Sequence, residues 1–231
     1  MPHHSILSPG FALLLASVIG LPACSGENDD ASDGGSSSSG YCQSQTPALV
    51  NGSGVPKNPA TPLSETPVAG STCNAVEREF PLEPGVHTQT FCVEVDYTTN
   101  PPCTGPHYGS WADFLVYDEP IPRGFWVHSL EHGAVAMLYS CTDCDAEVAA
   151  AKALRDDIGV DPYCVANPPL TTKIVLTPDP RLETTWAAAS WGFTLTADCF
   201  EPEVFRTFVL THRGNAVEPF CNFGIDVSKP P

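Results

Sequence analysis

The sequence predicts a disulfide-braced α+β domain: a mixed or antiparallel sheet with two main helices, behind an irregular Pro-rich N-terminal extension. Three observations lead there. Nine cysteines follow Cys24 in a chain whose first 23 residues read as an export signal, and cysteine-dense exported chains are usually cross-linked. Two runs without an internal Gly or Pro, 146–158 and 202–212, have helical character. Between and before them lie short β-branched and aromatic runs, each stopped by Gly or Pro.

The elements follow in order. Residues 11–21 (FALLLASVIGL) form an apolar run too short to span a bilayer comfortably and suited to a signal h-region, although no Lys or Arg precedes it. Leu21-Pro22-Ala23-Cys24 then reads as a bacterial lipobox, with Cys24 the lipidated residue; an ordinary signal peptide is the alternative. Residues 24–40 are acidic and Gly/Ser-rich, the composition of a flexible tether. Residues 41–75 lack periodicity and are expected to wrap the domain irregularly, leaving 76–231 as one α+β domain. Within it, 88–97 (TQTFCVEVDY) alternates as a strand does. Residues 100–106 hold three prolines and are expected to be a rigid loop presenting His107. Residues 125–127 and 134–139 read as strands, 146–158 as a helix, 171–177 and 186–196 as strands, and 202–212 as the closing helix. Pairings of Cys42 with Cys73 and of Cys199 with Cys221 are favoured, and one of the nine cysteines must stay out of an intrachain pair.

Charge narrows the function. The ten basic residues all lie beyond the tether, which carries Glu27, Asp29, Asp30 and Asp33, so 23 of the 27 acids remain and the domain's net charge is −13. That balance repels phosphate backbones and excludes nucleic acid as a partner class.

The chemistry gathers in one window. Beyond the signal the chain has five histidines, and His107, His128 and His132 fall within 26 residues, with His87 just upstream. Neutral imidazole is the commonest transition-metal ligand, so this clustering predicts a metal site, with copper and zinc equally compatible. In HSLEHG (128–133), the H-x-x-E-H spacing on a helix would resemble an inverted zinc-protease motif with Glu131 as general base. Gly133 and the flanks FWV and AVAMLY instead favour a strand–turn–strand, in which Glu131 orients a histidine. In a flat strand His128 and His132 would stand roughly 13 Å apart, so a turn is needed to bring them together. Met137, five residues after His132, is expected on the opposite face, in the core. A separate candidate is Cys141-x-x-Cys144 ahead of a helix, the thioredoxin layout; Asp143, Asp145 and Glu147 oppose a thiolate there and favour a structural disulfide.

The segments PPCTGPHY (101–108) and HSLEHGAVAMLY (128–139) resemble those of a bacterial family catalogued as domain of unknown function 3105. The resemblance takes in His87, the 101–107 loop, His128 to Val135, Tyr139, Ser190-Trp191-Gly192 and, in reversed order, Glu218-Pro219. Cys103 stands where that pattern has Thr, which would place a thiol beside the site. The resemblance implies a shared fold and histidine set, often on secreted or membrane-tethered proteins, and implies no reaction. The leading expectation is therefore an extracytoplasmic, lipid-anchored protein binding copper or zinc through His87, His107, His128 and His132. Its only membrane contact would be the lipid. A metal-dependent hydrolase using Glu131 and a thiol oxidoreductase using Cys141 and Cys144 are the alternatives.

Overall fold

A computed structural model describes Cys42, residues 53–88 and residues 90–229. The expected signal, Cys24 and the expected tether lie outside these residues. Among the described residues no helix is long and apolar enough to cross a membrane.

The strands are β1 (Ser64–Pro67), β2 (Val76–Glu79), β3 (His87–Thr88), β4 (His107–Tyr108), β5 (Val135–Tyr139), β6 (Ile174–Pro178), β7 (Trp186–Ser190) and β8 (Phe193–Ala197). The helices are α1 (Arg123–Glu131), α2 (Asp145–Ile158), the short α3 (Pro162–Ala166) and α4 (Pro202–His212). Six strands form one sheet in the order β1-β2-β8-β7-β5-β6, antiparallel except for the parallel β5–β6 pair, and β3 and β4 form a separate parallel ribbon. The α+β expectation with a mixed sheet holds.

The centre of the sheet is buried on both faces, and the strand period of two assigns its residues. Ala136 and Leu138 of β5, Val175 of β6, and Ala187 and Ala189 of β7 join a core that includes Phe125, Trp126, Val127 and Leu130 of α1. Val135, Met137, Ile174, Leu176, Trp186 and Ala188 point the other way, into a core shared with Ala151 and Leu154 of α2 and Phe205, Phe208 and Val209 of α4. Met137 is thus core, as its spacing predicted. With α1 on one face and α2 and α4 on the other, the strands are apolar throughout instead of alternating, as expected of a sheet covered twice.

Several sequence expectations are corrected. Residues 125–127 are helical: α1 runs through them to Glu131. Every residue of α1 is buried, so its aromatic and β-branched content reflects a helix packed on all sides, and packing outweighs the small propensity penalty. Residues 88–97 form no long strand beyond the two residues of β3. Cys92 adopts φ 61° and is bridged to Cys42, which breaks the extended run. The single strand expected over 186–196 is the β7–β8 hairpin, turned at Trp191-Gly192 with Gly192 at φ 84°. Within the expected irregular extension, Ser64–Pro67 forms β1, an exposed edge strand whose composition carries no apolar alternation; Pro67 is tolerated at its end. Helices 146–158 and 202–212 are found nearly as expected, as α2 and α4.

The disulfides are Cys42–Cys92, Cys73–Cys199, Cys141–Cys144 and Cys164–Cys221, with Cys103 free and buried. Neither favoured pairing, Cys42–Cys73 or Cys199–Cys221, forms. The hydrogen-bonded register puts Cys73 beside the β8 end instead, where the amide of Asp198 donates to the carbonyl of Cys73.

Candidate metal centre

The site is assembled from α1, the β3–β4 ribbon and the segment after α4. Gly133 ends α1 instead of preventing it. At φ 87° it is the left-handed residue of a Schellman turn: its amide donates to Leu130 O (2.9 Å), and the Ala134 amide donates to Ser129 O (3.0 Å). The helix therefore survives just long enough to carry His128, Glu131 and the C-capping His132 through its last turn. The expectation of a strand–turn–strand at HSLEHG is overturned. His128 and His132, four apart on a helix, bring their ring centroids to 4.7 Å.

The ribbon supplies the other two histidines. His87 and His107 are register partners on parallel strands, with ring centroids 5.0 Å apart, close to the inter-strand spacing itself. β4 lies against α1 at Gly124, where a Cβ would come within 2.8 Å of the Tyr108 ring. That close approach lets the Tyr108 carbonyl reach His128 Nδ1 at 2.6 Å.

Backbone carbonyls fix the tautomers. His107 Nδ1 meets Gly105 O at 2.9 Å, His128 Nδ1 meets Tyr108 O at 2.6 Å, and His132 Nδ1 meets Glu218 O at 3.0 Å. A carbonyl only accepts, so each Nδ1 carries the proton and each Nε2 is left with a lone pair. This is the arrangement that orients imidazoles towards a metal. Burial holds all three neutral: the ring of His107 is pushed down to about 4 and that of His128 to about 3, the latter also by its neighbouring histidines, and His132 is lowered as well.

His87, His107, His128 and Glu131 bring one donor atom each to within 4.8 Å of one another and could hold a metal ion. Glu131 Oε2 stands 3.1 Å from His107 Nε2 and 3.8 Å from His87 Nε2. With His107 Nδ1 protonated, the 3.1 Å contact sets two acceptors face to face, so a proton or a metal cation must lie between them. Metal–nitrogen and metal–oxygen bonds near 2.1 Å put neighbouring donors about 2.9–3.4 Å apart, so that contact already has coordination spacing. Burial, then the charge of Glu218, pushes the Glu131 carboxyl up to about 7; a cation beside it would favour its negative form.

His132 is adjacent but outside this set. Its ring lies between Trp111 (4.8 Å between centroids) and Phe220 (3.9 Å), and its buried Nε2 has no hydrogen-bond partner among the described residues. Glu131, expected to orient a histidine or to act as a base, stands in the donor set itself. Cys103 offers no reactive thiol: it is fully buried, contacts Thr99 Oγ1 at 3.6 Å, and burial pushes it up to about 12. His212 is remote, bonded to Glu77 at 3.0 Å.

Sequence reasoning missed the apolar walls. Trp111 and Phe220 enclose His132, and Trp191 meets His107 edge-on at 5.9 Å. It also missed Gly85, where a Cβ would lie 2.0 Å from Glu131 Oε1; a Pro-Gly pair two residues ahead of a histidine was the signal available. The thiol candidate is elsewhere: Cys141 and Cys144 pair with each other at the start of α2, beyond the far end of β5.

Fold and site together define a class: a mixed α+β domain with a His₃Glu donor cluster between a helix C-terminus and a two-stranded ribbon. The chain belongs to the family described as protein of unknown function (DUF3105), which matches residues 88–222, from one residue after His87 to one after Cys221. No curated protein and no solved structure matches the chain.

Proposed function

We propose that this protein is a transition-metal-binding domain, for copper or zinc, held at the outer side of a bacterial membrane by a lipid on Cys24. The observation that carries the metal reading is the pairing of buried, tautomer-fixed imidazoles with a carboxylate facing a nitrogen lone pair at 3.1 Å. Three imidazoles and one carboxylate suit zinc and copper, and harder oxygen-seeking ions less well. His87, His107, His128 and Glu131 are the donors; His132 packs behind them and would join only by a shift. The hydrolase reading asks Glu131 to stand free as a base, and its place among the donors counts against that. The domain's net charge of −13 beyond the tether, from 10 basic and 23 acidic residues, favours no nucleic-acid partner.

Metal analysis of protein purified without a histidine tag tests the proposal. One equivalent of copper or zinc is expected, and its loss in a His107→Ala/His128→Ala double variant; a metal-free wild type, or a double variant that keeps its ion, refutes it. Fractionation tests the anchor: Cys24→Ser should move the protein from membrane to soluble fraction.

One observation favours a second reading, thiol–disulfide exchange at Cys141–Cys144. The other three disulfides join residues 50, 126 and 57 apart, whereas this one spans 3 and braces no distant segments. Reduction by a thioredoxin-type dithiol at a potential that leaves the other three intact would support it; co-reduction of all four would remove it.

A further inference from the structure

The four donors are not equivalent. The His107 side chain is fully buried and that of Glu131 is 7% exposed, whereas the His87 side chain is 48% exposed. His107 and His128 are each tied through Nδ1 to a carbonyl. Among the described residues His87 makes no hydrogen bond through either ring nitrogen; there it meets the rings of His107 and His128 and approaches Glu131 at 3.8 Å. Its strand is two residues long, joined to β4 by pairing that includes the His107 amide and Val86 O at 3.0 Å. On the other sides, Trp191 stands against His107 and Trp111 against His128.

Resting on the metal-binding reading, we propose that His87 is the exchangeable corner of the site. An external nitrogen- or oxygen-donor ligand takes its place, so that the ion is passed on by displacement instead of being held permanently. In that step a metal–nitrogen bond to His87 breaks as a bond to the incoming donor forms; no electron moves, and the other three donors keep the ion in place. Closed, four-coordinate protein sites are typically structural, while a site with one replaceable position can admit an external ligand. The incoming ligand is a small chelating molecule that presents an imidazole, amine or carboxylate.

The experiment uses the detergent-solubilised full chain loaded with Zn²⁺, a chromogenic chelator to follow release, and free imidazole as the external donor. In the wild type the release rate should rise in proportion to chelator concentration. His87→Gly should keep one equivalent of zinc and release it at least about tenfold faster, on the scale seen when metal-site support is lost. Millimolar imidazole should return that rate towards the wild-type value, because the vacated position opens to solvent. In His128→Gly imidazole should restore nothing, because that position is buried against Trp111.

Loss of all zinc from His87→Gly, or zinc retention without imidazole rescue, overturns the proposal while leaving the metal site intact as a reading. Wild-type protein that binds no zinc overturns both. Should His87→Gly fail to fold, the wild type decides alone: a release rate independent of chelator concentration overturns displacement at an open corner.

Discussion

Gly85→Ala should damage the metal site and spare the fold. An added Cβ would sit 2.0 Å from Glu131 Oε1 and 3.3 Å from His107 Cε1, against 3.4 Å or more for an ordinary contact. Gly85 has no left-handed backbone angle, so alanine brings no conformational strain there. The carboxylate oxygen must therefore retreat by more than an ångström. Metal–ligand distances tolerate about 0.2 Å, so the displacement is several times what the donor set can absorb. The clashing atom is the end of a long side chain, which can rotate away without moving the backbone. Unfolding free energy should accordingly change by less than about 1 kcal/mol, within the range of substitutions that neither open a cavity nor strain the chain. Metal affinity should fall by about 10–100-fold, as it does when a group that orients ligands is disturbed. Competition titration against a calibrated chelator gives the affinity, and urea unfolding of the metal-free protein gives the stability. A Gly85→Ala protein that binds metal as tightly as wild type would refute the placement of Glu131 among the donors. One that binds weakly because it no longer folds would refute the claim that only a side-chain end is in the way.

Three further predictions concern the scaffold. In metal-free protein, His107 and His128 titrate near 4 and 3 in the fold against 6.5 when unfolded, so below pH 6.5 the unfolded chain takes up protons that the fold refuses, at a cost of about 2 kcal/mol each by pH 5. Glu131, at about 7 folded against 4.5 unfolded, works in the opposite direction between those values; urea unfolding in EDTA should show a shallow net loss from pH 7 to 5, steeper in Glu131→Gln. By the chain-entropy relation, replacing Cys73 and Cys199 by alanine should cost up to about 5 kcal/mol and replacing Cys141 and Cys144 only about 2, so equal losses by calorimetry would contradict the bracing assignment. Gly133→Ala places a Cβ at φ 87° and 3.1 Å from Gly214 Cα, and should cost at least about 1–2 kcal/mol in unfolding free energy while weakening metal binding through the helix end that carries Glu131.

The long amphipathic elements were legible because their signals are local. Residues 202–212 and 146–158 have no internal Gly or Pro, end near Gly214 and Gly159, and carry acids in the first turn and a basic residue in the last. Elements whose reason is tertiary were not legible. β1 reads as loop because an exposed edge strand needs no apolar face, and Cys92, bridged to Cys42, interrupts a well-alternating run with a left-handed backbone at φ 61°. The pairing of Cys73 with Cys199 depends on β2 lying beside β8, a non-local fact.

The site shows the same division more sharply. Residue type alone selected His87, His107, His128 and His132, because a scarce metal-binding side chain stands out in a window; Glu131 was read as a base or an orienting group, and it, not His132, stands in the donor set. What would let His107 and His128 serve as donors is not in the residue types: two main-chain carbonyls, at Gly105 and Tyr108, set which imidazole nitrogen is free. Any residue could supply those oxygens, so no motif announces them. HSLEHG was misread for a related reason. Its aromatic and β-branched flank was weighed as strand propensity, and Gly133 as a break in any helix. A nine-residue helix sunk between a sheet and a ribbon has no solvent face to mark its period, and it must stop at once if His132 is to turn towards Phe220. Strand-like composition and a terminal glycine are what such a helix requires, so the features that argued against a helix at this motif are the ones that place its histidines.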